Sequence, residues 1–320
     1  MKRLPALILI VLLIAGLLPL QTGAREPSGM LTPENLSGEK FSRWPELTFW
    51  RQETFTRGEV ESVTFRNDLY GLPGDAWDLS AAEDRSILGW FRSGTLYIAA
   101  QNTIVLNENS AYLFAGMNHC REIRFNGVVD TSRVKQMNGM FMGCAQLEKV
   151  DLADFDTTSA ATMASMFYGC ANLEELDLSG FETENVTSMN RMFTACTGLK
   201  ELDLSGFRTP VLTDMTAMFD SCRNLETAVL SRFDTSRVTS MANLFGTCPS
   251  LKQADVSSFR TGSVTNLNNM FYGCKALTEL DLSGFTTRRG VTTTNMFKKA
   301  KSLADIHCDD PLILKAYARR

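Results

Sequence analysis

Phe141, Phe167, Phe193, Phe219, Phe245, Phe271 and Phe297 follow one another at steps of 26 residues, and Phe114 stands 27 before the first. A period of this length confines the chain to repeat architectures. In these each unit cannot bury its apolar face alone and is completed by its neighbours. Other columns keep the same register. Met or Leu precedes each Phe from Met140 to Met296. Cys follows three positions later as Cys144, Cys170, Cys196, Cys222, Cys248 and Cys274, before Ala300 ends the column. Leu sits at the sixth position from Leu147 to Leu303, and a second Phe at the fourteenth from Phe155 to Phe285.

The unit 183–207 reads as a helical piece followed by a strand. Thr187 is placed to cap a short helix whose apolar face is Val186, Met189, Met192, Phe193 and Cys196, at spacings of three and four. Leu202 and Leu204 alternate with Glu201 and Asp203, the period-two pattern of a short strand with Leu inward and acid outward. Ser205-Gly206 turns the chain and Phe207 plugs the turn. Parallel stacking of such units at ~4.8 Å predicts an α/β solenoid. It is a leucine-rich-repeat-like, right-handed array of short parallel strands and short helices, about seven turns long, with an N-terminal cap.

Here the sequence resembles a known family. Met-Phe-x-x-Cys-x-x-Leu-x-x-Leu-Asp-Leu-Ser-x-Phe-x-Thr-x-x-Val-Thr-x-Met, as in Met166 to Met189, is similar to the BspA-like leucine-rich repeat, which includes the repeat of Mycoplasma lipoprotein-related surface proteins. The resemblance covers roughly residues 110–306. The preceding stretch, with Val60-Glu61-Ser62-Val63-Thr64-Phe65, Ala76-Trp77-Asp78-Leu79-Ser80 and Gly94-Thr95-Leu96-Tyr97-Ile98, resembles the leader of these proteins. The resemblance implies a secreted or surface-exposed bacterial protein that attaches to host proteins or other cells, and implies no catalytic activity. The sequence departs from the pattern at Thr227-Ala228-Val229, where the outward Asp is lost, at Gly290-Val291, one residue out of step, and at His307-Cys308, which replaces Asp-Leu. Val291 onward reads as a decaying terminal cap.

Lys2 and Arg3, the apolar run Leu4 to Leu20 and Thr22-Gly23-Ala24 make the three-part plan of a signal peptide over 1–24, cleaved after Ala24. An uncleaved N-terminal anchor is the alternative, although the run is slightly short for the roughly 20 apolar residues of a span. The first Cys is Cys120, so no lipid-modified Cys is expected at the cleavage site. No transmembrane segment is expected in the mature chain, which places the protein outside the cell or at its surface. Residues 25–40 read as a flexible linker. Residues 41–113, which hold all four Trp, read as an N-terminal cap region over the first repeat's open edge, a separate binding module being the alternative. The repeats run over 114–306, and 307–320 forms a C-terminal cap or tail.

Few columns carry chemistry. Eight Cys in an exported chain raise the question of disulfides. Six of them share one column with parallel Cβ vectors, which favours packed thiols. Convergent Cys-x-x-Cys ligands are absent, so zinc is not expected. His119-Cys120 and His307-Cys308 are neighbours on strands, facing opposite sides, and make no dyad. The Thr column, Thr131 to Thr287, fits turn and cap hydrogen bonding. Asp156, Glu182 and Asp234 precede Thr as calcium ligands would, but Arg208 and Arg260 break that pattern. No catalytic residue, cofactor or metal site is nominated. With only two His and no regular cleft for paired carboxylates, the chain is read as a non-enzyme.

The acidic stripe is the candidate binding face: Asp151, Asp177, Asp203, Asp255 and Asp281, flanked by Glu175, Glu201 and Glu279. Like charges at strand spacing repel, so a stack of them calls for counter-ions, flanking Lys or Arg, or a basic partner. A solvated face that prevents aggregation is the alternative. The partner expected is a protein or a cell-surface polymer, host surfaces included. A net charge of −4 argues against nucleic acid. The sequence leaves the oligomeric state open.

Overall fold

The structure, a computed structural model, describes Met30, Leu31, residues 45–48, Trp50 and residues 52–320. The leader expected over 1–24 lies outside the described residues. Part of the linker expected over 25–40 does not: Met30 and Leu31 are buried at 1% exposure, and the Leu31 amide donates to Val105 O at 2.8 Å. This apolar pair is pinned into the core as a bridge partner of Val105 and Ser80, which corrects the flexible reading at these two positions.

Successive repeats lie parallel. Asn109, Gln136, Thr162, Ser188, Asp214, Ser240, Asn266 and Thr292 form an unbroken series of parallel bridges, each residue paired with the next. Beyond each bridge the backbone divides its N–H groups by parity. Phe141 N donates to Met166 O at 2.9 Å and Gly143 N to Tyr168 O at 2.7 Å, both one repeat on. Met140, Met142 and Cys144 instead donate back to Met137, Gly139 and Phe141. The product is a ribbon of overlapping turns. It needs a left-handed residue two positions before and two after each Phe of the series: φ is +62° at Gly139 and +77° at Gly143, then +55° at Arg191 and +60° at Ala195.

The short helices expected here do not form, and the α-helix of the described residues is Pro311–Tyr317. A right-handed helix excludes a left-handed residue at every fourth position and keeps its N–H groups for its own carbonyls. The ribbon nonetheless returns side chains to one face at similar spacing, so Val186, Met189, Met192, Phe193 and Cys196 are all fully buried. Inside it the Phe rings stack from Phe114 to Phe297, with centroids 5.0–5.9 Å apart and planes within 13° of parallel.

On the opposite side short strands pair in parallel. Glu201–Asp203, Thr227–Val229 and Gln253–Asp255 form one ladder, and Glu279–Asp281 with Asp305–His307 another. Between the two sides a column of buried Thr ties each repeat to the next. Thr183 Oγ1 donates to Arg208 O at 2.8 Å and accepts the Arg208 amide at 3.0 Å; Thr157, Thr209, Thr235 and Thr261 clasp the residue 25 positions on in the same way.

Stacking leaves unpaired backbone groups at both ends, and each end is closed differently. At the N-terminal end Ser62–Arg66 pairs in parallel with Glu122–Arg124 of the first repeat. Thr95–Ala100 and the antiparallel Ile87–Arg92 then extend the same sheet away from it. In the ribbon, the carbonyls beside each Phe accept amides of the preceding repeat. The first repeat has no predecessor, and the fully buried Arg57 takes that place: its Nη1 donates to Leu113 O at 3.2 Å and Ala115 O at 2.8 Å. At the C-terminal end Asp310 stands where the next peptide would be. Its carboxylate accepts the Thr287 amide at 2.7 Å and hydroxyl at 2.9 Å, and also caps Pro311–Tyr317 through the Leu312 and Ile313 amides. Tyr317 closes the Phe stack edge-on against Phe297.

Two substitutions test this account. Thr183→Val keeps the shape but strips both partners from Arg208, and is expected to cost about 1–3 kcal/mol in denaturant unfolding. Arg57→Met leaves two carbonyls without a donor and is expected to cost about 2–5 kcal/mol.

Candidate functional site

The strand face carries the predicted acidic residues in two outward columns. One runs Lys149, Glu175, Glu201, Thr227, Gln253, Glu279, Asp305; the other Asp151, Asp177, Asp203, Val229, Asp255, Asp281, His307. Register places them side by side where strands pair: Glu201 beside Thr227 beside Gln253, Asp203 beside Val229 beside Asp255, and Asp281 beside His307. The strands alternate as their sequence requires, with Leu202 and Leu280 buried and the flanking acids exposed. The face is not one continuous sheet. Lys149–Val150 closes the cap's sheet, residues 175–177 form no strand, and the two later ladders are separate. The structure therefore brings Glu201, Asp203 and Asp255 into one ladder and Glu279 with Asp281 into another. It leaves Asp151, Glu175 and Asp177 outside both.

The Asp column has a local cause. Each Asp Oδ1 accepts the amide two residues on: Asp151 from Ala153 at 3.1 Å, Asp177 from Ser179 at 2.9 Å, Asp203 from Ser205 at 2.8 Å, Asp255 from Ser257 at 3.3 Å and Asp281 from Ser283 at 2.9 Å. These Asx turns end the strand segment and reverse the chain. Ser179, Ser205 and Ser283 amides donating to Asp177, Asp203 and Asp281 hold those three carboxyls below their ordinary value, which favours their ionised form. Repulsion along the stripe calls for counter-ions, flanking Lys or Arg, or a basic partner, and among the described residues no Lys or Arg forms an ion pair with the Asp column. Lys200 and Lys252 meet Glu174 and Glu226, one column over, at 3.8 and 2.5 Å.

Two shallow depressions open on the face. One of about 470 Å³ is bounded by Glu174, Glu175, Asp177, Lys200, Glu201 and Asp203. The larger, of about 570 Å³, is lined by Thr227, Val229, Lys252, Gln253, Asp255, Asp281, Asp305 and His307, with Ala228 and Ala254 on its floor strands. Sequence reasoning omitted Thr227, Val229, Gln253, Lys252 and His307 from the site. Their signal was present as departures from the repeat: Ala at 228 and 254 where other units carry Val, Leu or Ile, and Val229 and His307 in place of Asp.

The remaining candidates are structural in their surroundings. The six Cys of the column are fully buried free thiols, each donating to the carbonyl of the Phe one repeat back, from Cys222 Sγ to Phe193 O at 2.9 Å to Cys144 Sγ to Phe114 O at 3.2 Å. Burial pushes Cys196 and Cys274 up to about 12 and raises Cys144, Cys170, Cys222 and Cys248 well above the ordinary thiol value. His119 is exposed, with Nδ1 2.6 Å from Gly58 O, while Cys120 is buried behind it; His307 and Cys308 divide in the same way. Among the described residues no three His, Cys, Asp or Glu side chains are grouped to hold a metal ion, and no helix is long and apolar enough to cross a membrane.

Two measurements check this electrostatic and thiol picture. A depressed Asp stabilises the fold fully above its ordinary value of 3.8, and that contribution fades as pH falls through the lower folded value. Asp177→Asn, Asp203→Asn and Asp281→Asn together keep the accepting oxygen but remove the titration. The triple variant should therefore lose less stability than the parent in acid unfolding below about pH 4. Thiol titration should find eight free thiols on denaturation without reductant, and a far slower reaction of the six column thiols in the native protein.

The Mycoplasma family of proteins of unknown function, DUF285, matches residues 109–229 and 197–308. No curated protein matches the chain. Two solved structures are similar to it. One is a leucine-rich repeat protein from Eubacterium ventriosum, 15% identical, with 68% of this chain and 93% of that one covered and a TM-score of 0.30. The other is a leucine-rich cell surface protein from Faecalibacterium prausnitzii, 14% identical, with 71% and 88% covered and a TM-score of 0.23. The two family matches overlap, and between them they take in the Phe, Cys, Thr and Asp columns over more than half of the chain; the chain belongs to the DUF285 family, the Mycoplasma repeat family that its 26-residue pattern resembles.

Proposed function

We propose that this is an exported, non-catalytic binding protein of a bacterial surface. Its repeats form a right-handed solenoid of about seven turns, and its strand face engages a protein or a cell-surface polymer. The observation that carries this reading is the use of side chains on that face. The repeated Asp, Thr and Cys columns are taken up in hydrogen bonds of the fold. The non-repeating residues, Thr227, Val229, Gln253 and His307, gather in the larger open depression beside ionised Asp281. A wide, shallow, charged surface suits an extended partner better than a small substrate, which asks for a concave pocket burying most of its surface. The apolar run Leu4 to Leu20 and the small residues before Arg25 support export.

The test is binding of the purified chain to host matrix proteins, glycans and bacterial envelope polymers, measured beside two variants. Asp177→Asn/Asp203→Asn/Asp281→Asn removes charge while preserving the turns, and Thr227→Arg obstructs the larger depression. Saturable binding weakened about tenfold or more by either variant places recognition on the strand face, as expected of a centrally placed contact. Binding equal in all three forms moves the site to the N-terminal cap. No binding across the panel favours a structural spacer.

A further inference from the structure

The charge of this chain is unevenly distributed. Residues 287–320 hold eight Lys and Arg against three Asp, whereas the other 286 residues hold 24 Lys and Arg against 33 Asp and Glu. Lys299 lies over the Tyr272 ring of the preceding repeat, and the other seven basic residues of this last segment lie on the C-terminal helix or on the segments that contact it. Arg288 and Arg289 follow Thr287, which is fastened to Asp310 at the helix N-terminus. Lys298 shares a cleft of about 430 Å³ with Ala316 and Arg319 at the other end of the helix. Lys301 lies just before Leu303 and Ala304, whose carbonyls accept the Tyr317 hydroxyl. Lys315, Arg319 and Arg320 belong to the helix and its continuation. All eight cations are exposed, and among the described residues none of them enters an ion pair. Of the three acids Asp310 is occupied in closing the repeat stack.

Amid these cations stands Leu314, 41% exposed, one of two large apolar side chains that the described residues leave in solvent. A basic face alone fits any polyanion. A basic face with an exposed Leu on a helix fits the boundary of an anionic bilayer, where the cations meet headgroup phosphates and the Leu enters the acyl margin. The remainder of the chain is net acidic and would be repelled by the same surface. Among the described residues the C-terminal end is therefore the one whose charge favours such a surface. We propose that the C-terminal end of the repeat stack, Arg288 to Arg320, is a docking surface for an anionic lipid bilayer. This goes beyond recognition by the strand face and does not depend on it.

Vesicle co-sedimentation of the full chain tests the proposal, comparing seven parts phosphatidylcholine and three parts phosphatidylglycerol with phosphatidylcholine alone. The ratio of the two partition constants removes the charge-independent contribution of the apolar residues 4–20. The ratio is expected to be large at about 0.05 M salt and to collapse at about 0.5 M. Arg289→Gln/Lys298→Gln/Lys301→Gln/Arg319→Gln, four exposed positions whose loss leaves the core intact, should lower binding to the anionic vesicles by several hundredfold, each of the four cations near the surface being worth roughly fivefold. Leu314→Ser should lower it by about fivefold. An unchanged thermal midpoint in both variants assigns the losses to the surface. Full binding retained by the fourfold variant overturns the proposal. So does equal binding to soluble polyphosphate with no effect of Leu314→Ser, an outcome that assigns the face to a dissolved polyanion.

Discussion

Everything in this protein depends on backbone groups that pair with the neighbouring repeat instead of with their own. Every second amide of the ribbon leaves its repeat for the next, as Phe141 to Met166 and Phe167 to Met192 do. A unit of this kind cannot stand alone, because a buried amide or carbonyl without a partner costs free energy comparable to a lost hydrogen bond. The same constraint dictates what happens at the ends. Arg57 supplies donors to carbonyls that have no preceding repeat, and Asp310 supplies acceptors to a Thr that has no following one. The cation closes the end that exposes carbonyls, and the anion closes the end that exposes donors.

The regular polar columns follow from the same accounting. Thr clasps a peptide one repeat on, Asp collects the amide two residues ahead, and Cys donates to a Phe carbonyl one repeat back. Each recurs because each repeat presents the same backbone groups. Cys suits its position as a small apolar body with a weak donor, where Ser would bring a stronger need for hydration and Ala would lack the donor. Recurrence down a column therefore points to a duty within the fold. Positions at which the column breaks are the ones released from that duty.

Much of the architecture was legible in the residues because burial has a register. The inward columns of Phe, Met, Leu and Cys were read with their spacing, and those side chains are buried. The helices were misread because spacings of three and four are shared by a helix and a ribbon of turns. A partial signal lay in the positions two before and two after Phe, where Gly139, Gly143, Gly169, Gly273, Asn243, Asn269 and Asn295 stand, while Ser165, Arg191, Ala195, Ala217, Ser221, Thr247 and Lys299 fill other left-handed positions and hide it. Gly and Asn are the residues that best tolerate the left-handed region, so the repeats that carry them there marked turns. Met30 and Leu31 were hidden within a polar stretch, since two apolar residues show no period. The Asp stripe was legible as exposed and acidic. Its turn-forming role required Ser or Ala two positions on to be read with it.

The strand face was the least legible part, because a repeat announces its regularities more loudly than its exceptions. Ala228 and Ala254 shorten two side chains in successive repeats, and Val229 removes one carboxylate between Asp203 and Asp255. Across the ladder these changes lie side by side, although 26 residues separate them in the chain. Ala228 and Ala254 belong to the inward column, and Val229 places one apolar residue in the outward Asp column, among the residues that line the larger depression. A solvated stripe whose task is only to repel other sheets gains nothing from that residue, since an unbroken row of charge protects an edge better. A contact surface does gain from it, because a partner is held by a desolvated centre with polar groups around it.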